Sequence, residues 1–270
     1  MMLKTLQLSK SGLKVCYRDQ GVGEPLVLIH GVGLQSAAWG PQTAALQDVC
    51  RVIALDMPGH GGSDPLPTGS QLPDFVAWCH AAVLELGLGP VNLAGHSMGA
   101  LIAAGFTARH PDLTRRVALL NGVYRRDDIS RHAVEARAAE IERGNVDLET
   151  PLTRWFGETA IELDAKAQVA TWLGAVDLTG YATAYTAFAH GDATYADQLP
   201  NIACPFLSIT GDGDPNSTPD MSIAMAKLVQ NGTAITIKGH RHMVNLTAAS
   251  EVNAHLLTWL KVPTTQKELQ

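Results

Sequence analysis

The sequence predicts an α/β protein with a mostly parallel central sheet, helices on both of its faces, and one long helical insertion. Three observations predict it. Short runs of apolar and β-branched residues recur, each closing on glycine or a polar turn, as in Leu26-Val27-Leu28-Ile29-His30-Gly31. Such unbroken apolar runs mark strands covered on both faces. Stretches of helical character lie between them, the alternation that builds parallel sheets. From about residue 123 to 198 the alternation stops, and the chain stays helix-like with no convincing strand.

The elements follow in order. Two short strands flank Ser9-Lys10-Ser11-Gly12, and Gly21-Val22-Gly23-Glu24-Pro25 turns the chain into the strand at Leu26–His30. Further strands are expected at Arg51–Asp56, Val91–His96, Arg116–Asn121, Pro205–Thr210 and Thr233–Ile237. Helices are expected at roughly 70–87, 98–109, 219–230 and 250–261. The chain therefore divides into a core of residues 1–122 and 199–270 and a helical cap of residues 123–198. The polar tail after Val262 is expected to fray.

Composition narrows the function. The 270 residues are 46% hydrophobic, enough for a sizeable core. The net charge is −6 and no Lys/Arg block is present, which argues against a nucleic-acid partner. The cysteines at 16, 50, 79 and 204 form no CxxC pair. They read as small reduced thiols and point to the cytoplasm. The first residues lack an apolar leader segment, and no window approaches the length of a membrane span. The ten histidines include no HExxH and no close two-His-plus-carboxylate set, so neither a metal nor another cofactor is expected.

One motif carries chemistry. Gly95-His96-Ser97-Met98-Gly99 fits G-x-S-x-G, with a buried strand before it and the small-residue helix Ala100-Leu101-Ile102-Ala103-Ala104 after it. That context makes a sharp turn that lifts the Ser97 hydroxyl from the sheet at a helix N-terminus. A serine hydroxyl is a weak nucleophile and needs a base oriented by an acid. For the acid, Gly211-Asp212-Gly213-Asp214-Pro215 follows a late strand. Asp214 lies further into the loop and is preferred, whereas Asp212 suits a bond within its own turn. For the base, Gly239-His240-Arg241-His242 follows the last strand, and both histidines qualify by position. The backbone N–H groups of Val32, in His30-Gly31-Val32-Gly33, and of Met98 are placed to hold an oxyanion.

Gly31-Val32-Gly33 with Asp56 downstream also looks like part of a dinucleotide fingerprint, but Ser36 stands where the third glycine belongs. Asp56, His60 and Asp64 read as braces of the loop Asp56-Met57-Pro58-Gly59-His60-Gly61-Gly62-Ser63-Asp64.

From about residue 12 to 262 the chain resembles the α/β-hydrolase superfamily. His30-Gly31-Val32-Gly33, Asp56-Met57-Pro58-Gly59-His60-Gly61-Gly62-Ser63 and Gly95-His96-Ser97-Met98-Gly99 occur in that family's order and spacing. The resemblance implies the α/β-hydrolase fold and Ser97 as nucleophile. The run His242-Met243-Val244-Asn245-Leu246 is similar to the segment that opens on the family's catalytic histidine, which selects His242. Members often carry a glutamate five residues on, where this chain has Thr247. Arg154-Trp155-Phe156, Gly180-Tyr181 and Ala187 resemble the 3-oxoadipate enol-lactonase branch. That likeness implies a small carboxylated lactone or ester as substrate, with Arg154 or Trp155 near it.

The expected function is thus a serine hydrolase of a small carboxylic ester or lactone. Ser97, His242 and Asp214 form the triad, and Trp39, Trp155, Trp172 and Tyr181 supply the walls. The same triad supports C–C bond hydrolysis of a ring-cleavage product, cofactor-free perhydrolase chemistry or N-acyl-homoserine lactone opening. A non-catalytic ligand receptor is the alternative outside enzymology.

Overall fold

A computed structural model describes residues 2–264; the expectation for the tail falls largely on residues 265–270, outside the described residues. Eight strands form one sheet: β1 (Leu3–Gln7), β2 (Lys14–Gln20), β3 (Pro25–Ile29), β4 (Arg51–Leu55), β5 (Val91–His96), β6 (Thr114–Leu120), β7 (Phe206–Gly211) and β8 (Gly232–Ile237). Their spatial order is β1-β2-β4-β3-β5-β6-β7-β8. β1 and β2 pair antiparallel, β2 joins β4 antiparallel, and every later pairing is parallel.

The apolar runs bury both faces, and the two-residue period of a strand sorts them. Val27, Ile29, Ile53, Leu55, Leu93, Val117 and Leu119 point to one core layer. Leu26, Leu28, Val52, Ala54, Ala94, Ala118 and Leu120 point to the other. The first layer is covered by α2 (Leu72–Glu85) and α3 (Met98–Arg109), which contribute Phe75, Trp78, Ile102 and Phe106. The second is covered by α1 (Gly40–Leu46) and α10 (Ala249–Leu260), through Leu46, Val252, Leu256 and Trp259. Between β7 and β8 lies α8 (Pro219–Leu228), and α9 (Val244–Thr247) precedes α10.

Between β6 and β7 the chain forms α4 (Asp128–Glu142), α5 (Glu149–Trp155), α6 (Ala160–Gly174) and α7 (Leu178–Gly191), then a 3-10 turn at Ala196–Asn201. Side-chain caps start three of these helices. Asp127 accepts from the Ser130 N–H at 2.7 Å, Thr159 from Glu162 at 3.4 Å and Asp177 from Gly180 at 2.7 Å. α4 packs on α7. Cys16, Cys50 and Cys79 are buried free thiols, and Cys204 is half-buried. Among the described residues no helix is long and apolar enough to cross a membrane.

Candidate active site

β5 ends at His96 and α3 begins at Met98, so Ser97 alone makes the turn. It does so at φ 55° and ψ −115°, a conformation L-residues rarely hold. Hydrogen bonds from the Ser97 N–H to the Leu120 carbonyl and from the Ala100 N–H to the Ser97 carbonyl, each 2.9 Å, hold it there. The flanking glycines serve close approach. A Cβ at Gly95 would sit 1.9 Å from the Gly99 carbonyl oxygen, and one at Gly99 would sit 2.1 Å from that of Ile29.

Ser97 and His242 open on one cavity of about 330 Å³, whose wall also includes Val32. The loop after β7 carries Asp214 and the loop after β8 carries His242, and both side chains are buried. The Asp214 Oδ2 accepts the His242 Nδ1–H at 2.7 Å and an Asn121 Nδ2–H at 2.8 Å. Its Oδ1 accepts the Asn216 N–H at 2.8 Å. Burial alone would raise the Asp214 carboxyl, but His242 and these donors hold it below the usual carboxylate range. With Nδ1–H committed to Asp214, His242 keeps Nε2 as an acceptor. Asp214 and His242 are therefore the members of the two candidate pairs that meet.

The other two members brace loops. Asp212 Oδ1 accepts the Gly239 N–H at 2.8 Å, reaching the base loop rather than its own turn. His240 Nδ1 lies 2.9 Å from Thr247 Oγ1, which itself donates to the Met243 carbonyl at 3.1 Å, so His240 is the donor. Thr247 thus ties the base loop together.

Three further histidines shape the site without titrating near neutrality. His60 Nε2 accepts the Gly33 N–H at 2.9 Å, and His30 Nε2 accepts the Met57 N–H at 2.9 Å. Their Nδ1–H groups donate to the Pro58 and Gly31 carbonyls. These bonds fix the loop that carries the Val32 N–H. A Cβ at Gly31 would lie 3.0 Å from the Ser97 Cβ, so the loop abuts the serine. The first N–H groups of α3 have no intrahelical acceptor, which leaves the Met98 N–H available beside it. His96 Nε2–H donates to the His242 carbonyl at 2.8 Å. Burial lowers His30 to about 4 and His60 and His96 to about 3, so all three stay neutral. Asp56 accepts from Ser36 and Gly62, and Asp64 from Lys14, in keeping with a bracing role.

The residues expected to touch substrate divide. Trp155 lies in the cavity wall, its ring stacked 5.8 Å from His242 at 26°. Tyr181 is buried and lines the cavity. Exposed Arg154 also lines it, donating to Asn216 Oδ1 at 2.6 Å. Arg241 donates to the Thr153 and Phe156 carbonyls, which ties the end of α5 to the base loop. Trp39 is a correction: it is fully buried in the second core layer with Leu26, Leu28 and Leu46, away from the cavity wall. The 3-10 turn Ser36–Trp39 rotates its side chain onto the opposite face of the sheet from α3. Trp172 is half-buried and is likewise absent from the lining.

Sequence reasoning missed Asn121, Arg126, Arg137 and Tyr185. Asn121 follows β6 at φ 48°, a conformation asparagine tolerates better than most residues, and its amide meets Thr210 Oγ1, Asp214 and the Arg241 carbonyl. The other three line the cavity from the helical segment, where no motif marks them.

A strained serine at a strand-to-helix turn, a buried acid–imidazole pair and this strand order define a class, and the chain belongs to the α/β-hydrolase family. Residues 24–148 match the family described as alpha/beta hydrolase fold. The chain is 52% identical over 261 residues to the (E)-2-((N-methylformamido)methylene)succinate hydrolase of Acinetobacter baylyi, covering 97% of this chain and 99% of that protein. It is 32% identical over 120 residues to the 2-(acetamidomethylene)succinate hydrolase of Mesorhizobium japonicum, covering 44% of this chain and 43% of that one. The solved enol-lactonase from Burkholderia xenovorans LB400 superposes with a TM-score of 0.84 at 26% identity, covering 93% of this chain and 97% of that structure.

Proposed function

We propose that this hydrolase deacylates a small, carboxylated N-acyl enamine of the (acylaminomethylene)succinate type through an acyl-enzyme. The observation that carries the reading is one cavity holding Ser97 and the Asp214-paired His242 together with the cationic side chains of Arg126, Arg137 and Arg154. Two relatives whose names specify such substrates support it.

The mechanism assigns each residue one task. Ser97 Oγ attacks the acyl carbon while His242 Nε2 takes its proton. Asp214 fixes the imidazole tautomer and stabilises the imidazolium. The Val32 and Met98 N–H groups hold the oxyanion, a contribution of about 2.7–4 kcal/mol per donor in other enzymes. His242 then protonates the departing nitrogen. Its lone pair is delocalised through the C=C into a carboxyl group, so it leaves more readily than an ordinary amine. Water, deprotonated by His242, attacks the acyl-enzyme and releases the carboxylic acid. In this reading α4 to α7 form the cap: Trp155, Tyr181 and Tyr185 cover the reacting atoms and exclude water.

Ester or lactone cleavage uses the same steps with an alkoxide or enolate as leaving group, and the enol-lactonase likeness supports it as the second reading. The substrates named for the two relatives carry a conjugated methylene rather than a simple ester, which favours the activated, non-ester alternatives. C–C cleavage would break the carbon skeleton instead.

Product analysis in H₂¹⁸O tests the proposal. With the two named succinates as substrates, the label is expected in the released formate or acetate. Products that keep the N–acyl bond, with no formate or acetate released, would indicate C–C cleavage, and absence of turnover on both would overturn the substrate class.

A further inference from the structure

The cavity beside Ser97 has more positive charge in its wall than its own acids balance. Arg126, Arg137 and Arg154 line it, opposed in the lining by Asp127, whose Oδ1 already caps α4. The three arginines are held differently. Arg154 donates through Nη2 to Asn216. Arg137 donates through Nη2 to the Asp147 carbonyl at 2.6 Å, with the Asp147 carboxylate 3.8 Å away. Arg126 is buried, with 3% of its side chain exposed.

Arg126 Nη1 faces the Phe188 and Ala189 carbonyls in the last turn of α7, at 3.4 and 3.3 Å, and Asp192 at 3.3 Å. Its guanidinium carbon lies 4.5 Å from the centre of the Phe188 ring. Its Nη2 is buried with no hydrogen-bond partner among the described residues. Asp192 is shared: it also pairs with Arg131 at 3.0 Å and accepts the Arg126 backbone N–H at 2.6 Å. Two guanidinium groups thus converge on one buried carboxylate, which leaves a positive charge over. A buried cation without full compensation is unfavourable, and an anion in the cavity that Arg126 lines would offset its charge.

We propose that Arg126, held from behind by Asp192 and the end of α7, is the specificity residue for one carboxylate of a dicarboxylic substrate, drawn by the uncompensated charge that this side chain brings to the cavity wall. The proposal rests on reading the Ser97 cavity as the substrate site. It adds a preference for two carboxylates over one, and it separates Arg126 from Arg137 and Arg154, whose Nη2 groups already have partners. Arginine suits the place because its planar group stacks on Phe188 and keeps its charge when buried.

Calorimetric titration with succinate and butyrate tests it, because binding is read without turnover. The wild type is expected to bind succinate at least tenfold more tightly than butyrate. Arg126→Gln should weaken succinate by roughly 10- to 100-fold and bring the two acids close to parity. Arg126→Lys should fall between, as a point charge without the fork. If Arg126→Gln loses its cooperative thermal transition, Arg126→Lys, which keeps the charge beside Asp192, carries the comparison. A selectivity unchanged by substitution, or a wild type that binds both acids equally, overturns the proposal; a purely structural Arg126 gives the first result. Arg126-dependent succinate binding without turnover of either acylaminomethylene succinate would leave this proposal standing and defeat the hydrolytic one.

Discussion

Asp214→Asn changes one atom and tests the role given to the acid. The carboxylate accepts three hydrogen bonds: two at Oδ2, from His242 and Asn121, and one at Oδ1, from Asn216. An amide must put its NH₂ at one of these places. At Oδ2 it would oppose two donors; at Oδ1 it opposes only the Asn216 N–H. The second orientation costs one hydrogen bond and keeps an oxygen against His242 Nδ1–H, so the imidazole retains its tautomer. What is lost is the charge opposite the imidazolium. Two unit charges about 4 Å apart interact by roughly 4 kcal/mol at an effective dielectric near 20. At about 1.4 kcal/mol per decade, kcat/KM should fall about 10³-fold. Hydrolysis of p-nitrophenyl acetate, followed by the absorbance of the released p-nitrophenolate, gives the rate constant. A loss below tenfold would refute the assignment of Asp214 as the group that stabilises the imidazolium.

Three further outcomes follow from the same geometry. Gly99→Ala places a Cβ against the Ile29 carbonyl, so the elbow must shift. It should lose roughly 1–3 kcal/mol in urea unfolding and most of its activity; wild-type values for both would contradict the packing account. Trp155→Ala removes a ring from the cavity wall and should raise KM by roughly 10- to 100-fold, from about 1.5–3 kcal/mol of apolar contact. An unchanged KM would remove Trp155 from the substrate's path. His30, His60 and His96 are neutral when folded, lowered to about 4, 3 and 3 by burial, and regain ordinary basicity on unfolding. The unfolded chain therefore binds more protons, and stability must fall as pH drops from about 6.5 toward 4. Each histidine contributes up to about 1.4 kcal/mol per pH unit in that window. A flat stability profile between pH 6.5 and 4.5 would show that they are not buried neutral.

Much of this site is legible in the sequence because its parts sit at the ends of strands. Ser97, Asp214 and His242 each follow an apolar run that the eye finds, and parallel strands bring their carboxyl ends to one edge. The choice between neighbours rests on side-chain reach. Asp212 and His240 are each two residues short, and they end on Gly239 and Thr247 instead. Helix α1 is not among the expected helices, although Pro41 stands in its first turn, where proline is favourable. Trp39 lies in the second core layer because a short 3-10 turn selects its sheet face, and no local pattern marks which face that is. Arg126 was invisible for a different reason. Its burial depends on Asp192, far along the chain at the end of α7, and no local pattern announces that pairing.

The central claim is that Ser97 is the nucleophile. Intact mass spectrometry after treatment with a fluorophosphonate tests it most directly. The account predicts one adduct on the wild type, mapped to the peptide containing Ser97, and none on Ser97→Ala. An adduct of equal yield on Ser97→Ala, or on a wild-type peptide lacking Ser97, would contradict it.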